Sequence, residues 1–303
     1  MTCRLVHTRA DLHQLRAGRG AKSIATVMTL GALHAGHAAL IQRAREAVGP
    51  SGQVIVTVFV NPLQFGAGED FAKYPRTLQA DVEIAEAAGA DVVYAPDVTE
   101  IYGVQRADVS NIDEGLTQVR VQPGPLGAIL EGASRPGHFA GVLTVVAILM
   151  HHTACGYAPF GEKDYQQLAL VQAMVHDLGF DVEILPVETL REQDGLALSS
   201  RNRYLNTQER EIALTIPRAL NAAQRVQHQG AKACLAAAFE VLNSEPKVEL
   251  DYLELRDTAL QPAPAQGPAR LLIAGKVGAT RLIDNIAVDL GLEPDSGELD
   301  SAS

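Results

Sequence analysis

The clearest hydrophobic pattern in the chain lies between residues 24 and 48. Ile24 to Met28 is a short apolar run rich in β-branched residues, which predicts a buried strand. After Gly31, apolar residues recur at near-helical spacing as far as Val48, which predicts a helix. The segment His34 to His37 therefore lies where a strand passes into a helix. Ligands of open α/β sheets bind beyond the carboxyl ends of strands, so this junction is the first candidate site.

The first half of the chain continues this alternation of strands and helices. Further strands are predicted at Val54 to Val60, Asp91 to Ala95 and Val182 to Leu185, and a less regular one at Val119 and Val121. Helices are predicted at Asp11 to Arg16, Leu78 to Ala88, Gly141 to His152 and Tyr165 to Asp177. Strands that alternate with helices indicate a parallel, doubly wound sheet, so we expect an α/β domain over residues 1–185.

The pattern changes after residue 185. Asn206 and Glu209 have the spacing of a capping box and predict a long helix to about His228. A second helix is predicted at Ala231 to Leu242, followed by strands at 248–255, 270–274 and 280–283. Helices followed by a few strands predict a smaller α+β domain over 186–290. The acidic residues 291–303 are predicted to form a disordered tail.

Composition narrows the class of protein. The chain has 303 residues, of which 47% are hydrophobic, and a formal net charge of −11, which argues against a general nucleic-acid or membrane binder. The three cysteines lack disulfide or metal-site spacing, which is typical of a reducing compartment. The longest apolar run is shorter than the ~20 residues of a membrane span. We therefore expect a soluble, cytoplasmic protein.

The His34-Ala35-Gly36-His37 segment has the features of an anion site. A helix N-terminus offers free N–H groups and the positive end of a dipole, which suit a phosphate, and two imidazoles could donate to the same anion. Gly36 leaves room for a ligand to approach the backbone. The alternative is that the histidines only pack or face solvent. Zinc would need more ligands than two, and the segment lacks the G-x-G-x-x-G pattern of dinucleotide sites.

Two later segments carry further groups suited to phosphates. Lys163 stands at a predicted helix start, where a cation opposes the dipole unless a bound phosphate requires it. Ser199-Ser200-Arg201 combines two hydroxyls with a guanidinium on a polar loop. The alternatives are a solvated lysine and an ordinary interdomain linker.

His151 and His152 end a predicted helix, where protonated rings would interact favourably with the negative end of the helix dipole.

These segments belong to longer phrases that closely resemble one family. The phrases are FVNPLQFGAGEDFAKYPRT (59–77), LEGASRPGHFAGV (130–142), FGEKDYQQL (160–168) and DGLALSSRNRYL (194–205), together with the HxGH segment. In this order, from about residue 24 to 286, they resemble the pantoate–β-alanine ligases. The resemblance implies a Rossmann-like nucleotidyltransferase fold with a smaller C-terminal lid domain, and a homodimer. It also implies ATP- and Mg²⁺-dependent joining of pantoate to β-alanine through a pantoyl adenylate, with release of AMP and pyrophosphate.

The resemblance also implies roles for individual residues. The catalytic group would be His34, His37, Lys163 and Arg201, with His37 as the proton donor. The nucleotide would be lined by Leu30, Gly31, Ala32, Leu33, Ala35, Gly36, Gly161, Glu162, Asp164, Leu190, Leu198, Ser199 and Ser200. Pantoate would contact Gln64 and Gln167, with Asn61, Arg135 and His138 around them. Gln64 would also lie where β-alanine enters.

The chain departs from the family pattern at a few positions. Met28 replaces the usual proline of P-T-M-G, Leu30 replaces its methionine, and Ala35 stands where glutamate is common. The family's acidic pair on the magnesium side is reduced to Ala80-Asp81, which leaves Asp81 as a weak metal candidate. The alternative function is a catalytically silent paralogue that binds ATP or pantoate. Another nucleotidyltransferase is opposed by the matching glutamines and by the acidic charge.

Overall fold

The structure, a computed structural model, describes residues 3–66, 71–103 and 117–291. The chain divides into two compact units, Met1–Thr189 and Leu190–Ser303. The predicted tail 291–303 lies outside the described residues except for Gly291. No helix in the described part of the chain is long and apolar enough to span a membrane.

The N-terminal unit contains a six-stranded parallel sheet with helices on both faces. Its strands are β1 (Arg4–Val6), β2 (Ile24–Thr29), β3 (Gln53–Val58), β4 (Val92–Tyr94), β5 (Tyr157–Gly161) and β6 (Glu183–Val187). Its helices are α1 (Arg9–Arg16), α2 (Ala35–Val48), α3 (Leu78–Ala87), α4 (Val98–Tyr102), α5 (Glu131–Ser134), α6 (His138–Thr153) and α7 (Tyr165–Asp177). This confirms the predicted parallel, doubly wound class.

Strand β2 lies at the topological switch point of this sheet. The strand order is β1-β4-β3-β2-β5-β6, so β2 pairs with β3 on one side and β5 on the other. Side chains alternate between two cores along β2: Ile24 belongs to one, whereas Ala25 and Val27 pack with Ile41 of α2 in the other. Burial on both faces explains the continuous apolar run of β2.

The C-terminal unit packs three helices with an antiparallel sheet. Its elements are α8 (Thr207–Ala213), α9 (Thr215–Arg225), α10 (Ala231–Asn243), β7 (Val248–Asp257), β8 (Gly267–Val277) and β9 (Thr280–Leu290). The strands pair in the order β7-β8-β9. A core of its own, with Ile216, Leu220, Leu271 and Ile273, holds the layers together. This confirms the predicted small α+β architecture.

One predicted helix and one predicted strand were wrong. The capping box of Asn206 and Glu209 is present, but the helix that it opens ends at Ala213 and a second begins at Thr215. Pro217 explains the break, because it has no N–H to donate to the carbonyl of Ala213. Val119 and Val121 lie in no strand; Val119 is exposed, and the N–H of Val121 donates to the hydroxyl of Thr144.

His152 does not interact with the helix dipole as predicted. It is buried, and its Nδ1 lies 3.1 Å from the hydroxyl of Tyr94. Burial lowers the pKa of His152 to about 4, so the ring is neutral near pH 7 and gains nothing from the dipole. His151 is exposed and its ring contacts Phe180.

Candidate active site

Five of the predicted site residues of the N-terminal unit follow three neighbouring strands. His34 and His37 follow β2, Asn61 and Gln64 follow β3, and Lys163 follows β5. Because these strands are parallel and adjacent, their carboxyl ends meet at one edge of the sheet. The topology therefore gathers at one edge residues that are far apart in sequence.

The loop between β2 and α2 has a fixed and unusual conformation. Gly31 and Ala32 both have positive φ, 85° and 52°. The buried carboxylate of Asp81 on α3 holds this turn: its Oδ2 accepts from the N–H of Ala32 at 3.2 Å and its Oδ1 from that of Leu33 at 2.8 Å. The hydroxyl of Thr77 donates to the same Oδ1 at 3.1 Å. Asp81 thus fixes the predicted nucleotide-binding loop.

Both histidines of the HxGH segment take part in capping α2. The N–H of Gly36 donates to Nδ1 of His34 at 3.1 Å, and the N–H of His34 donates to Nδ1 of His37 at 3.2 Å. Because each Nδ1 accepts from a backbone donor, each neutral ring carries its proton on Nε2. The ring centroids are 4.1 Å apart. Both rings therefore carry an Nε2–H group at the N-terminus of α2.

The electrostatic environment keeps His37 neutral. Burial, followed by the neighbouring His34, lowers the pKa of His37 to about 3. The charges of Asp164 and Lys163 also act on this ring, in opposite directions. Lys163 is half-buried in the 3-10 turn between β5 and α7, and its Nζ lies 3.4 Å from Oδ1 of Asp164. The structure therefore brings His34, His37, Lys163 and Asp164 into one cluster.

Gly36 makes room for a side chain of the protein. A Cβ at this position would lie 2.8 Å from Cε1 of His34. The glycine therefore allows the His34 ring to fold back onto the first turn of α2 as its cap. Ala35, the residue that replaces the family's usual glutamate, is exposed beside it.

Asn61 and Gln64 form a buried amide pair after β3. The Nδ2 of Asn61 donates to Oε1 of Gln64 at 3.2 Å and to the carbonyl of Gly141 at 3.1 Å. Its Oδ1 accepts from the N–H of Leu63 at 3.2 Å and from the hydroxyl of Tyr102 at 2.6 Å. The side chain of Asn61 is thus fully hydrogen-bonded within the protein.

Arg135 and His138 hold the backbone of Gln64. The Nδ1 of His138 donates to the Gln64 carbonyl at 2.8 Å, because a carbonyl can only accept. The Nε2 of the same ring then accepts from Nη1 of Arg135 at 3.0 Å. Nη2 of Arg135 reaches the Gln64 carbonyl as well, at 3.3 Å. Both residues therefore support Gln64 from the side of its main chain.

Gln167 lies on α7 beside a buried glutamine that anchors the neighbouring loop. Gln166 donates to the carbonyls of Leu126 and Ile129, at 2.8 Å each, and accepts from the N–H of Glu131 at 3.0 Å. These bonds tie the glycine-rich segment before α6 to α7. Gln167 itself is half-buried on the same helix.

The remaining predicted residues form a separate group in the C-terminal unit. Leu190 and Leu198 are joined by a backbone hydrogen bond of 2.9 Å, and Ser199 caps a 3-10 helix that contains Ser200 and Arg201. The hydroxyl of Ser199 accepts from the N–H of Arg201 at 3.2 Å. Ser199, Ser200 and Arg201 thus lie together in one compact turn.

Ion pairs fix the loop that precedes this turn. Arg191 makes two bonds to the buried Asp284, of 2.6 and 3.0 Å. Arg210 of α8 bonds Glu192 at 2.6 Å and Asp194 at 2.8 Å. The loop that the sequence marks as polar and glycine-containing is therefore braced on both sides.

The described residues provide no ready-made metal site. Among them, no three His, Cys, Asp or Glu side chains are grouped as metal ligands. Both oxygens of Asp81 already accept hydrogen bonds from the protein. Asp81 therefore fits a structural role better than a metal-binding one.

Sequence reasoning missed two residues that organise the site. Tyr102 and Gln166 do not belong to the site that the motif positions predict, yet each bonds a predicted segment directly. Gln166 could have been recognised from the sequence, because a polar residue at a core position of a helix usually has a hydrogen-bond partner. Nothing in the sequence links Tyr102 to Asn61, since only the fold brings the two residues together.

Comparisons with known proteins agree with this arrangement. Residues 4–287 match the family model described as pantoate-beta-alanine ligase. A pantothenate synthetase of Nocardia farcinica is 55% identical over 270 residues, which cover 89% of this chain and 80% of that protein.

Solved structures give the same result. The pantothenate synthetase of Thermus thermophilus superposes with a TM-score of 0.83 at 45% identity, covering 93% of this chain and 98% of that one. The pantoate-beta-alanine ligase of Francisella tularensis, complexed with beta-gamma ATP and beta-alanine, superposes with a TM-score of 0.74 at 32% identity, covering 94% and 97%. This chain is a member of the pantoate-beta-alanine ligase family.

Proposed function

We propose that the chain joins pantoate to β-alanine at the expense of ATP, through a pantoyl adenylate, and that the residues described above carry the reaction. The observation that carries this proposal is the cluster at the N-terminus of α2. There, His34 and His37 carry Nε2–H groups, and the charge of Lys163 acts on the ring of His37 at the switch point of the sheet. This is a set of donors suited to phosphates. The silent alternative is not favoured, because no phosphate donor of the motifs is missing.

In the first step, the pantoate carboxylate attacks the α-phosphorus of ATP and pyrophosphate leaves. Negative charge grows on the phosphate oxygens, so preorganised donors lower the barrier. We assign this role to Nε2–H of His34 and His37, the positive end of α2 and the ammonium of Lys163. At neutral pH, His37 acts as a hydrogen-bond donor from its uncharged ring.

In the second step, the amine of β-alanine attacks the acyl carbon of the adenylate and AMP leaves. The adenylate must be kept from water until the amine arrives. We assign Ser199, Ser200 and Arg201 to the β- and γ-phosphates and the leaving pyrophosphate. Leu190 and Leu198, with Leu30 to Gly36 and Gly161 to Asp164, would line the nucleotide.

Pantoate is assigned to the glutamines. Gln64 and Gln167 would contact its hydroxyl and carboxylate, because an amide can donate to both. Asn61, Arg135 and His138 would support Gln64 by the hydrogen bonds described above. Gln64 would also border the entry of β-alanine.

Magnesium is proposed to arrive with ATP. Mg²⁺ favours phosphate oxygens and water over a cage of protein ligands. That preference agrees with the described part of the chain, where the carboxylate of Asp81 is used by backbone donors. The ion would neutralise phosphate charge when bound.

The family resemblance further suggests a homodimer. The three buried free cysteines are consistent with a protein of the cytoplasm.

The first test measures AMP formation from ATP, Mg²⁺ and pantoate, with β-alanine present or withheld. We expect AMP and pantothenate together when all substrates are supplied, and adenylate formation, seen as pyrophosphate release, without β-alanine. Folded protein that binds ATP but releases neither product would contradict the proposal and favour the silent paralogue.

Lys163→Ala tests the assigned cluster. Removing the ammonium should lower the rate of adenylate formation by about 100-fold or more while leaving the melting temperature near that of the wild type. Lys22→Ala is the matched control, because Lys22 is an exposed lysine of the same unit. A Lys163→Ala enzyme with unaltered turnover would refute the role given to this residue.

A further inference from the structure

A tyrosine outside the predicted site controls the orientation of the two amides after β3. Tyr102 ends the short helix α4, and its hydroxyl donates to Oδ1 of Asn61 at 2.6 Å. Burial raises the pKa of this phenol far above its ordinary value, so it stays protonated and remains a donor. Its ring also lies against that of Phe59, with centroids 6.2 Å apart.

The polarity of Asn61 is fixed by two backbone groups. The N–H of Leu63 can only donate, so the atom that it contacts is the amide oxygen. The carbonyl of Gly141 can only accept, so the atom facing it is the amide nitrogen. The hydroxyl of Tyr102 adds a second donor to the oxygen side. Asn61 therefore presents N–H, never oxygen, to Gln64.

This polarity is transmitted to Gln64. Because Nδ2 of Asn61 donates to Oε1 of Gln64, the oxygen of the glutamine amide is turned toward the protein. Its Nε2 has no hydrogen-bond partner among the residues that the structure describes. This atom is also not one of the buried polar atoms that lack a partner, so it is accessible to solvent. The side chain thus offers its NH₂ group outward, where it can donate to an oxygen of a ligand.

We propose that Tyr102 is a positioning residue for pantoate, and that it acts through Asn61 to keep Gln64 turned with its NH₂ group toward the substrate. This rests on the proposed function. Gln64 then recognises a carboxylate or hydroxyl oxygen of pantoate as an acceptor. Tyr102 itself does not touch the substrate.

The test compares Tyr102→Phe with Tyr94→Phe. Both changes remove one hydroxyl that bonds a buried side chain of the same unit, but Tyr94 bonds His152, which makes no hydrogen bond to Gln64 among the described residues. Loss of one such hydrogen bond should raise KM for pantoate about 3- to 10-fold in Tyr102→Phe. KM for ATP should not change, and Tyr94→Phe should leave KM for all three substrates at the values of the wild type.

A double-mutant cycle separates positioning from general destabilisation. If Tyr102 acts through Gln64, Tyr102→Phe should have no further effect on KM for pantoate in a Gln64→Ala background. Independent, multiplicative effects would overturn the proposal. So would an unchanged KM for pantoate in Tyr102→Phe, or an equal rise in KM for all substrates.

Gln64→Glu tests the polarity even if Tyr102→Phe does not fold. A glutamate can still accept from Asn61, but it turns an oxygen instead of NH₂ toward the substrate. We expect KM for pantoate to rise at least 100-fold; a value like that of the wild type would overturn the inference. Wild-type protein without turnover would instead overturn the proposed function, so the two failures are distinguishable.

Discussion

At the scale of single residues, the chemistry of the site is set by which nitrogen of each imidazole holds the proton. Backbone N–H groups donate to Nδ1 of His34 and of His37, so both rings carry their proton on Nε2. A second proton would have to enter at Nδ1, against a donor already in place. The capping geometry thus acts in the same direction as burial, which lowers the pKa of His37 to about 3.

The pH dependence of the reaction follows from this pKa. An ordinary histidine loses its proton near pH 6.5, whereas His37 is already neutral above about pH 4. Raising the pH from 5.5 to 8 therefore leaves its protonation unchanged, and kcat/KM for ATP should show no loss near pH 6.5. A loss there that disappears in His37→Gln would show that the charged ring is needed. The profile of kcat/KM reports the free enzyme, to which this pKa belongs.

Residue roles could be predicted only where the residue type itself limits the chemistry. The sequence marked His34, His37 and Lys163 because phosphates require donors after a strand. The family resemblance implied Asp81 as a metal candidate, because the family has an acidic pair at this position. The two N–H groups that Asp81 binds belong to residues 32 and 33, and only the fold brings them to its carboxylate.

At the scale of elements, the site depends on how closely α6 approaches the segment after β3. Gly141 of α6 makes this approach possible, because a Cβ there would lie 2.1 Å from the carbonyl oxygen of Leu63 and 2.7 Å from the backbone nitrogen of Gln64. Backbone atoms cannot rotate away as a flexible side chain can. The glycine therefore sets the distance between α6 and Gln64.

Gly141→Ala should separate these elements. We expect a loss of about 1–3 kcal/mol in the free energy of unfolding, as for overpacked cores, together with a raised KM for pantoate. Urea unfolding and steady-state kinetics measure the two effects. Gly20→Ala is the control, because Gly20 has φ −77° and no atom within 4 Å of an added Cβ. Equal effects of the two substitutions would contradict this account.

The elements themselves were largely predictable, and the exceptions have physical causes. Helix α7 begins and ends at the predicted residues, and β2 is one residue longer than predicted. Strand β1 was missed because Arg4 to Val6 has too few residues to show a period. The break between α8 and α9 comes from Pro217, which a periodic pattern alone does not reveal.

At the scale of the whole molecule, each unit has its own hydrophobic core. The predicted family and fold class were confirmed because long phrases and the alternation of elements carry them. The bracing of the loop before Ser199 could not be predicted, since Asp284 lies far along the chain from Arg191. Local sequence cannot show which distant carboxylate pairs with which arginine.

The stability of the N-terminal unit should fall in acid through His152. The pKa of this buried ring is lowered to about 4 from an ordinary 6.5, so the unfolded chain binds the proton first. The free energy of unfolding is therefore fully retained above pH 6.5 and decreases by about 2–3 kcal/mol as the pH falls toward 4.

Urea unfolding between pH 7 and 4 measures this loss. His152→Gln should reduce the slope of stability against pH, although the variant starts from a lower stability at pH 7. His176→Gln removes an exposed histidine of the same unit and should keep the slope of the wild type. If His152→Gln also kept that slope, His152 would not be the source.

The hydrogen bonds between Asp81 and the loop after β2 limit how this enzyme can be recombined with its relatives. The loop is encoded at residues 31–33, but its left-handed turn is held by a side chain 49 residues beyond Ala32. A chimera that exchanges residues 24–48 alone would separate the loop from its anchor. A transferable segment must therefore also include the start of α3 with Thr77 and Asp81, and so spans two βα units, β2 with α2 and β3 with α3.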